Sequence, residues 1–271
     1  MSKSATILGL LFGLIILLLS MVDPQTGKLI DAFLNWQGLL VVLGGTFAAV
    51  LINYPLSQLG CIFNGFTKVL TSEPSDVTRT IERIEELSHQ KLKGGILVLE
   101  KQIDQIDDPF LRFSISQMLI YNDEGLLMAS LRNNQHQIQL RHQQCQELFH
   151  NMASYAPAFG MMGTVMGLII MMTAHASSSS AMVDSANMLA GLMNGMGLAL
   201  VTTFYGVLFA NLLFVPIAGK LKVLSEAELL KNEVIIKGIQ SLKHSHSPIL
   251  VRESLLTFVN ERTKEKLVQS F

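Results

Sequence analysis

The sequence predicts an all-α membrane protein, with four transmembrane helices, a helical cytoplasmic domain between the second and third, and a cytoplasmic C-terminal helical tail. Three observations predict this. Of 271 residues, 49% are hydrophobic and only 15% charged, against about a quarter charged in an ordinary soluble domain. The apolar residues fall into four blocks free of Asp, Glu, Lys and Arg, each long enough to cross about 30 Å of hydrocarbon. The cations are segregated between those blocks.

The first block runs from Ala5 to Val22 and the second from Trp36 to about Phe63. The third runs from Asn151 to about Thr173, and the fourth from about Ser185 to Gly219. Lipid offers no partner for loose backbone groups, so each block is read as a helix. The second and fourth exceed the length a crossing needs, which predicts tilt or projection beyond the bilayer. The first is read as a retained span, because no small-x-small cleavage site precedes Asp23.

Nine cations lie between Leu56 and Met152, nine from Lys220 onward, and one is Lys3; Lys28 alone occupies the first short loop and none the second. The positive-inside rule therefore places both termini and the long middle segment in the cytoplasm. The expected divisions are residues 1–55 (two spans), 56–152 (cytoplasmic helices), 153–217 (two spans) and 218–271 (cytoplasmic tail). Cys61 and Cys145 fall on the reducing side and are read as free thiols.

Within the middle segment, Ser72-Glu73-Pro74 reads as a helix start, and Ile81, Ile84 and Leu87 follow at helical spacing. Gly94-Gly95 breaks the pattern, Pro109 opens another helix, and Asn122-Asp123 precedes a polar run that enters the third span without a breaker. The tail reads as two amphipathic pieces, around Leu221–Leu242 and Leu250–Val268, divided by a turn at His244–Pro248.

The last two spans carry the chemistry. Gly163 and Gly167, and Gly191 and Gly195, form small-xxx-small pairs that allow close helix approach. Thr164 in the third span and Thr202 and Thr203 in the fourth bring hydroxyls, while no span contains a carboxylate or ammonium. A single threonine can simply bond its own helix, but hydroxyls on two adjacent glycine-rich helices could line a polar path. Proton relays and cation paths in membranes usually use an ionisable group, so a conducting role here points to a partner helix that supplies the acid. Pro157 and Pro216, near the cytoplasmic span ends, mark either static bends or hinges.

Other classes find little support. A net charge of −1 gives no basic face for nucleic acid. No GxSxG, zinc-ligand spacing or phosphate loop is present, so neither an enzyme nor a cofactor is expected. His136, His142, Cys145 and His150 share one helix at a spacing too irregular for a metal site.

Three stretches carry a family resemblance. Residues 155–168, YAPAFGMMGTVMGL, resemble the third-span motif of MotA and PomA, flagellar stator proteins of the MotA/TolQ/ExbB superfamily. Residues 199–220, ALVTTFYGVLFANLLFVPIAGK, are similar to their fourth span, and residues 44–55, GGTFAAVLINYP, to their second. The resemblance implies a membrane-embedded homopentamer around a MotB- or PomB-like single-span partner that carries the ion-binding aspartate. It places Thr164 and Thr203 opposite that aspartate with Thr202 adjacent, and makes Pro157 and Pro216 functional hinges. It also implies contact with the rotor protein FliG through charged residues, matched here by Glu100. The basic partner eight residues earlier is replaced by Leu92, flanked by Lys91 and Lys93, and the acid three residues before Pro157 by Ser154. A TolQ/ExbB-like energiser or other ion-driven membrane motor, and a non-conducting scaffold or membrane enzyme, are the alternatives.

Overall fold

The computed structural model describes residues 2–22, 33–71, 76–177, 185–244 and 246–259, together with 261 and 264. The described architecture is helical: α1 (Ser2–Ser20), α2 (Trp36–Leu39), α3 (Gly45–Asn53), α4 (Leu56–Thr71), α5 (Val77–Gly94), α6 (Ile96–Gln102), α7 (Pro109–Ile120), α8 (Glu124–Ser177), α9 (Ser185–Leu208), α10 (Val215–Lys243) and α11 (Pro248–Leu256). Two π-helical stretches, Leu40–Gly44 and Phe209–Phe214, join α2 to α3 and α9 to α10 without a break. Among the described residues, three helices are long and apolar enough to cross a membrane, Trp36–Asn53, Glu124–Thr173 and Leu189–Lys243; α1 contributes a shorter apolar run, Ile7–Ser20.

The chain forms two compact units, one of residues 1–72 and 143–222, the other of residues 73–142 and 223–271. In the first unit, Val42 and Val50 from the second span, Leu148, Phe149, Met152 and Ala156 from α8, and Val201, Tyr205, Phe214 and Leu221 from α9 and beyond form the core. Large apolar side chains such as Phe12, Leu51, Val165 and Leu200 remain exposed, as lipid-facing or subunit-facing residues of a membrane protein do.

The second span is shorter than its apolar block. Tyr54 is extended (φ −123°, ψ 140°) because Pro55 disfavours helix in the residue before it. The helix therefore ends at Asn53, and α4 restarts at Leu56 as a separate amphipathic helix. The π stretch before Pro216 has a related cause: proline has no N–H to donate back, and the wide turn carries the ladder past it, with Val215 N–H bonding the Ala210 carbonyl.

Cys61 on α4 and Cys145 on α8 are joined as a disulfide, correcting the expectation of free thiols. Their separation of 84 positions hid the proximity; α4 folds back along α8 and brings the two Cα atoms to 5.8 Å.

The second unit packs Ile81, Ile84 and Leu87 of α5 against Leu99, Phe110, Ile115 and Met118, with Leu127 and Leu131 of α8, Ile235 and Ile239 of α10, and Val251 and Leu255 of α11. The expected helix start at Ser72–Pro74 lies outside the described residues; α5 begins at Val77, where the Asp76 carboxylate accepts from the Thr78 N–H at 2.9 Å. The break at Gly94-Gly95 is present, with Gly95 at φ 73°, a conformation that disfavours any side chain. Asp108 caps α7 behind Pro109 and forms an ion pair with Lys231 at 2.5 Å. The turn after α10 ties the tail to the start of α8: Lys243 donates to the Tyr121 carbonyl at 2.7 Å, and His244 meets Glu124 at 3.0 Å.

Candidate functional site

The α8–α9 pair is built on missing side chains. A Cβ at Gly167 would stand 2.5 Å from the Gly195 carbonyl oxygen, and one at Gly206 would stand 2.7 Å from the Ala156 carbonyl oxygen. The two backbones touch at several levels, which fixes how each helix is rotated and so which threonines face outward.

The three threonines have different fates. Thr202 is fully buried; it packs against Gly163, and its hydroxyl lies 3.0 Å from both the Leu198 and Ala199 carbonyls. Thr203, the next residue, is exposed and donates to Ala199 O at 3.3 Å. Thr164 is half-buried and donates to Met161 O at 2.6 Å. The Thr203 Cα meets α8 at Gly160, 3.4 Å from where a Cβ there would stand and one turn from Thr164, while Thr202 is sealed within the seam. Each donor is taken by its own helix, which leaves hydroxyl lone pairs free to accept from a protonated acid or to ligate a cation.

Pro157 lies inside an unbroken α8 beside Gly206, whose notional Cβ would be 3.1 Å from the Pro157 Cα. Pro216 follows the π turn of the fourth span. Both prolines sit where a backbone hydrogen bond is missing, though only one is accompanied by a π stretch.

In the second unit, Lys91, Leu92 and Lys93 close α5, and Glu100 lies on α6. Lys91 is half-buried and donates to the Leu242 carbonyl near the end of α10. Burial, reinforced by the Lys243 ammonium, pulls its amine below the ordinary lysine range. Lys93 and Glu100 are exposed, as are Leu92, Ile96 and Leu97. The Lys91 ammonium thus braces α5 against α10, and Lys93 and Glu100 present their charges outward. A cleft of about 760 Å³ at the first half of α5 is lined by Arg79, Glu82, Arg83, Glu86, Asp107 and Lys231, among others.

Sequence reasoning missed three ties. The Tyr205 hydroxyl donates to the Phe33 carbonyl and accepts from the Asn35 N–H at 3.1 Å, anchoring the start of the second span. Asn151 donates to the Tyr54 hydroxyl at 2.5 Å, holding the elbow at its other end. His142 on α8 pairs with Ser225 at 3.1 Å and lies 3.9 Å from Glu228. Each joins residues roughly 80 to 170 positions apart, beyond any local signal.

Residues 102–234 match the model of the MotA/TolQ/ExbB proton channel family. The chain is 30% identical to motility protein A of Treponema phagedenis over 88% of this chain and 87% of that one. It is 30% identical to the chemotaxis protein PomA of Vibrio alginolyticus over 95% of each. Its fold matches the flagellar MotAB stator complex from Bacillus subtilis with a TM-score of 0.79 and 24% identity, covering 96% of this chain and 97% of that one. An acid-free helix pair with hydroxyls at its edge, relatives related along nearly their full length and a shared fold lead to one conclusion: the chain belongs to the MotA/TolQ/ExbB proton channel family, on its motility protein A branch.

Proposed function

We propose that this chain is the MotA-type stator subunit of a bacterial flagellar motor, forming with a MotB-like partner an H+ or Na+ channel that turns ion-motive force into torque. The carrying observation is the α8–α9 edge, where Thr203 and Thr164 present hydroxyl lone pairs on a wall without any ionisable side chain. Such a wall can stabilise a protonated or ion-loaded carboxylate but cannot itself carry the charge. The partner's membrane aspartate supplies it, as the pairing of MotA with MotB in the related stator complex supports.

In this reading the protein crosses the inner membrane four times, α1 included, with both termini in the cytoplasm. Five copies surround the partner helices, so the Thr164–Thr203 edge repeats as a ring. A monovalent ion falling through 100 mV releases about 2.3 kcal/mol, comparable to remaking a few interhelical contacts, so one ion can drive one small rotational step. Pro157 and Pro216 bend as the ring steps, and Lys93 and Glu100 push on FliG while Lys91 braces the helix behind them.

The test is complementation of a stator-null strain with sodium varied and a protonophore added. Thr203→Val should slow swimming and change its dependence on ion-motive force, whereas Thr202→Val, whose hydroxyl is sealed in the seam, should leave ion coupling intact. Equal and normal coupling in both variants would overturn the pathway assignment.

A further inference from the structure

Neither cysteine has a part in the proposed channel, yet the fold brings them together in an ordered seam. Cys61 lies on the second turn of α4 and Cys145 on α8, about three turns before Pro157. Their Cα atoms are 5.8 Å apart, inside the range of about 4.4–6.8 Å that a disulfide accepts. The Cys145 sulfur also lies 3.5 Å from the Cys61 carbonyl oxygen. The next turn repeats the match: Gly65 faces Phe149, so closely that a Cβ at Gly65 would stand 2.8 Å from the ring. Residues 61 and 65 of α4 thus meet 145 and 149 of α8 in register, and buried Val69 continues the α4 stripe. Residues four apart share a helix face, so the seam holds the two sulfurs opposite each other. Both cysteines are half-buried rather than sealed, within reach of a small oxidant.

We propose that Cys61 and Cys145 are a reversible dithiol–disulfide couple, a modification site that hydroperoxide closes to clamp α4 onto α8. One thiolate attacks the peroxide oxygen, giving a sulfenic acid and releasing water. The second thiol attacks that sulfur, the S–S bond forms, and a second water leaves. The two thiols lose two electrons and two protons, and hydrogen peroxide takes up both to become two waters. An external dithiol reverses the reaction by exchange.

On the topology proposed above, both sulfurs face a reducing compartment, so the bond in the structure is one that cellular dithiols can open. The consequence for the motor rests on the stator reading. The bond fixes the helix that follows the Tyr54–Pro55 elbow to the helix that becomes the third span, and opposes any flexing of that elbow during a step.

The test uses membranes containing the full chain with its single-span partner. Hydrogen peroxide should take the chain from two maleimide-reactive thiols to none, dithiothreitol should restore both, and non-reducing peptide mapping should join residues 61 and 145 of one chain. Cys61→Ser and Cys61→Ala should leave Cys145 reactive after peroxide. Thiols that stay fully alkylatable, or a bond that joins two copies, would overturn the couple. In cells, peroxide should slow wild-type swimming reversibly, and Cys61→Ser cells should resist it. Slowing that is identical in the two strains would overturn the motor consequence. Because thiol mapping does not depend on motility, a failed couple and a failed stator reading give different results.

Discussion

Substituting alanine for Gly167 tests whether the α8–α9 seam sets the geometry of the candidate channel. The new Cβ would lie 2.5 Å from the Gly195 carbonyl oxygen, 2.8 Å from the Ala199 nitrogen and 2.9 Å from the Ala199 Cβ. Two of these obstacles are backbone and cannot rotate aside, so the helices must part by roughly 1 Å to regain ordinary contact. Overpacking of this kind costs about 1–3 kcal/mol. It also disturbs the hydroxyl edge, because Thr164 is one turn from Gly167 on α8. Gly197→Ala is the matched control: the same chemical change, on the facing membrane helix α9, with nothing within 4 Å of its Cβ. The expected outcome is a melting temperature lowered by several degrees for Gly167→Ala in the detergent-purified complex, together with lost motility. Gly197→Ala should match wild type or slightly exceed it. If both variants behaved alike, the close backbone approach would not be what holds the pair.

Three further outcomes follow from particular contacts. Tyr205→Phe removes the hydroxyl that serves both the Phe33 carbonyl and the Asn35 N–H, and should cost about 1–3 kcal/mol; faster amide exchange at residues 33–38 checks it. Thr202→Val should alter thermal stability only modestly, because the helix already satisfies the carbonyls its hydroxyl shares. The Glu124 carboxyl is held below the ordinary range by hydrogen bonds from Gln240 and His244. A depressed carboxylate contributes stability above its unfolded pKa and loses it as pH falls through the folded value, so amide exchange in the first turn of α8 should accelerate on acidification below the usual carboxylate range. Glu124→Gln should remove that acid-side change, and an unchanged profile would refute the contact.

How much of this was legible beforehand depended on how far each cause lies along the chain. Gly94-Gly95, Pro109 and Asn122-Asp123 act on their immediate neighbours, and α5, α7 and α8 end or begin at those places. The block from Trp36 to Phe63 misled because hydropathy averages over Tyr54-Pro55, where a local backbone preference outweighs an unbroken apolar run. Period alone could rank the threonines only as a group. Their separation needed the rotation of α9, which the contacts at Gly163, Gly167 and Gly206 determine. The Cys61–Cys145 bond and the Tyr205 tie were invisible for a simpler reason, since nothing local marks a partner many turns away.

On the function proposed above, that rotation also accounts for an acid carried by another chain. Adjacent residues on a helix point about 100° apart, so Thr202 turned into the seam leaves Thr203 turned out of it. A carboxylate at position 202 would be buried against Gly163 with no cation among the described residues of that seam, a cost of several kcal/mol. At position 203 it would face hydrocarbon whenever the subunit stood alone, again at a penalty of about 2.5–3.5 kcal/mol on insertion. Hydroxyls avoid both penalties, because each bonds its own helix until a partner arrives. A wall of this kind inserts without charge and, in the proposed reading, gains its conducting group on assembly. Thr203→Asp should therefore lower the amount of chain recovered in the membrane even without the partner, while Thr203→Ser should not. Equal recovery of the two, measured by quantitative immunoblot of washed membranes, would refute the argument.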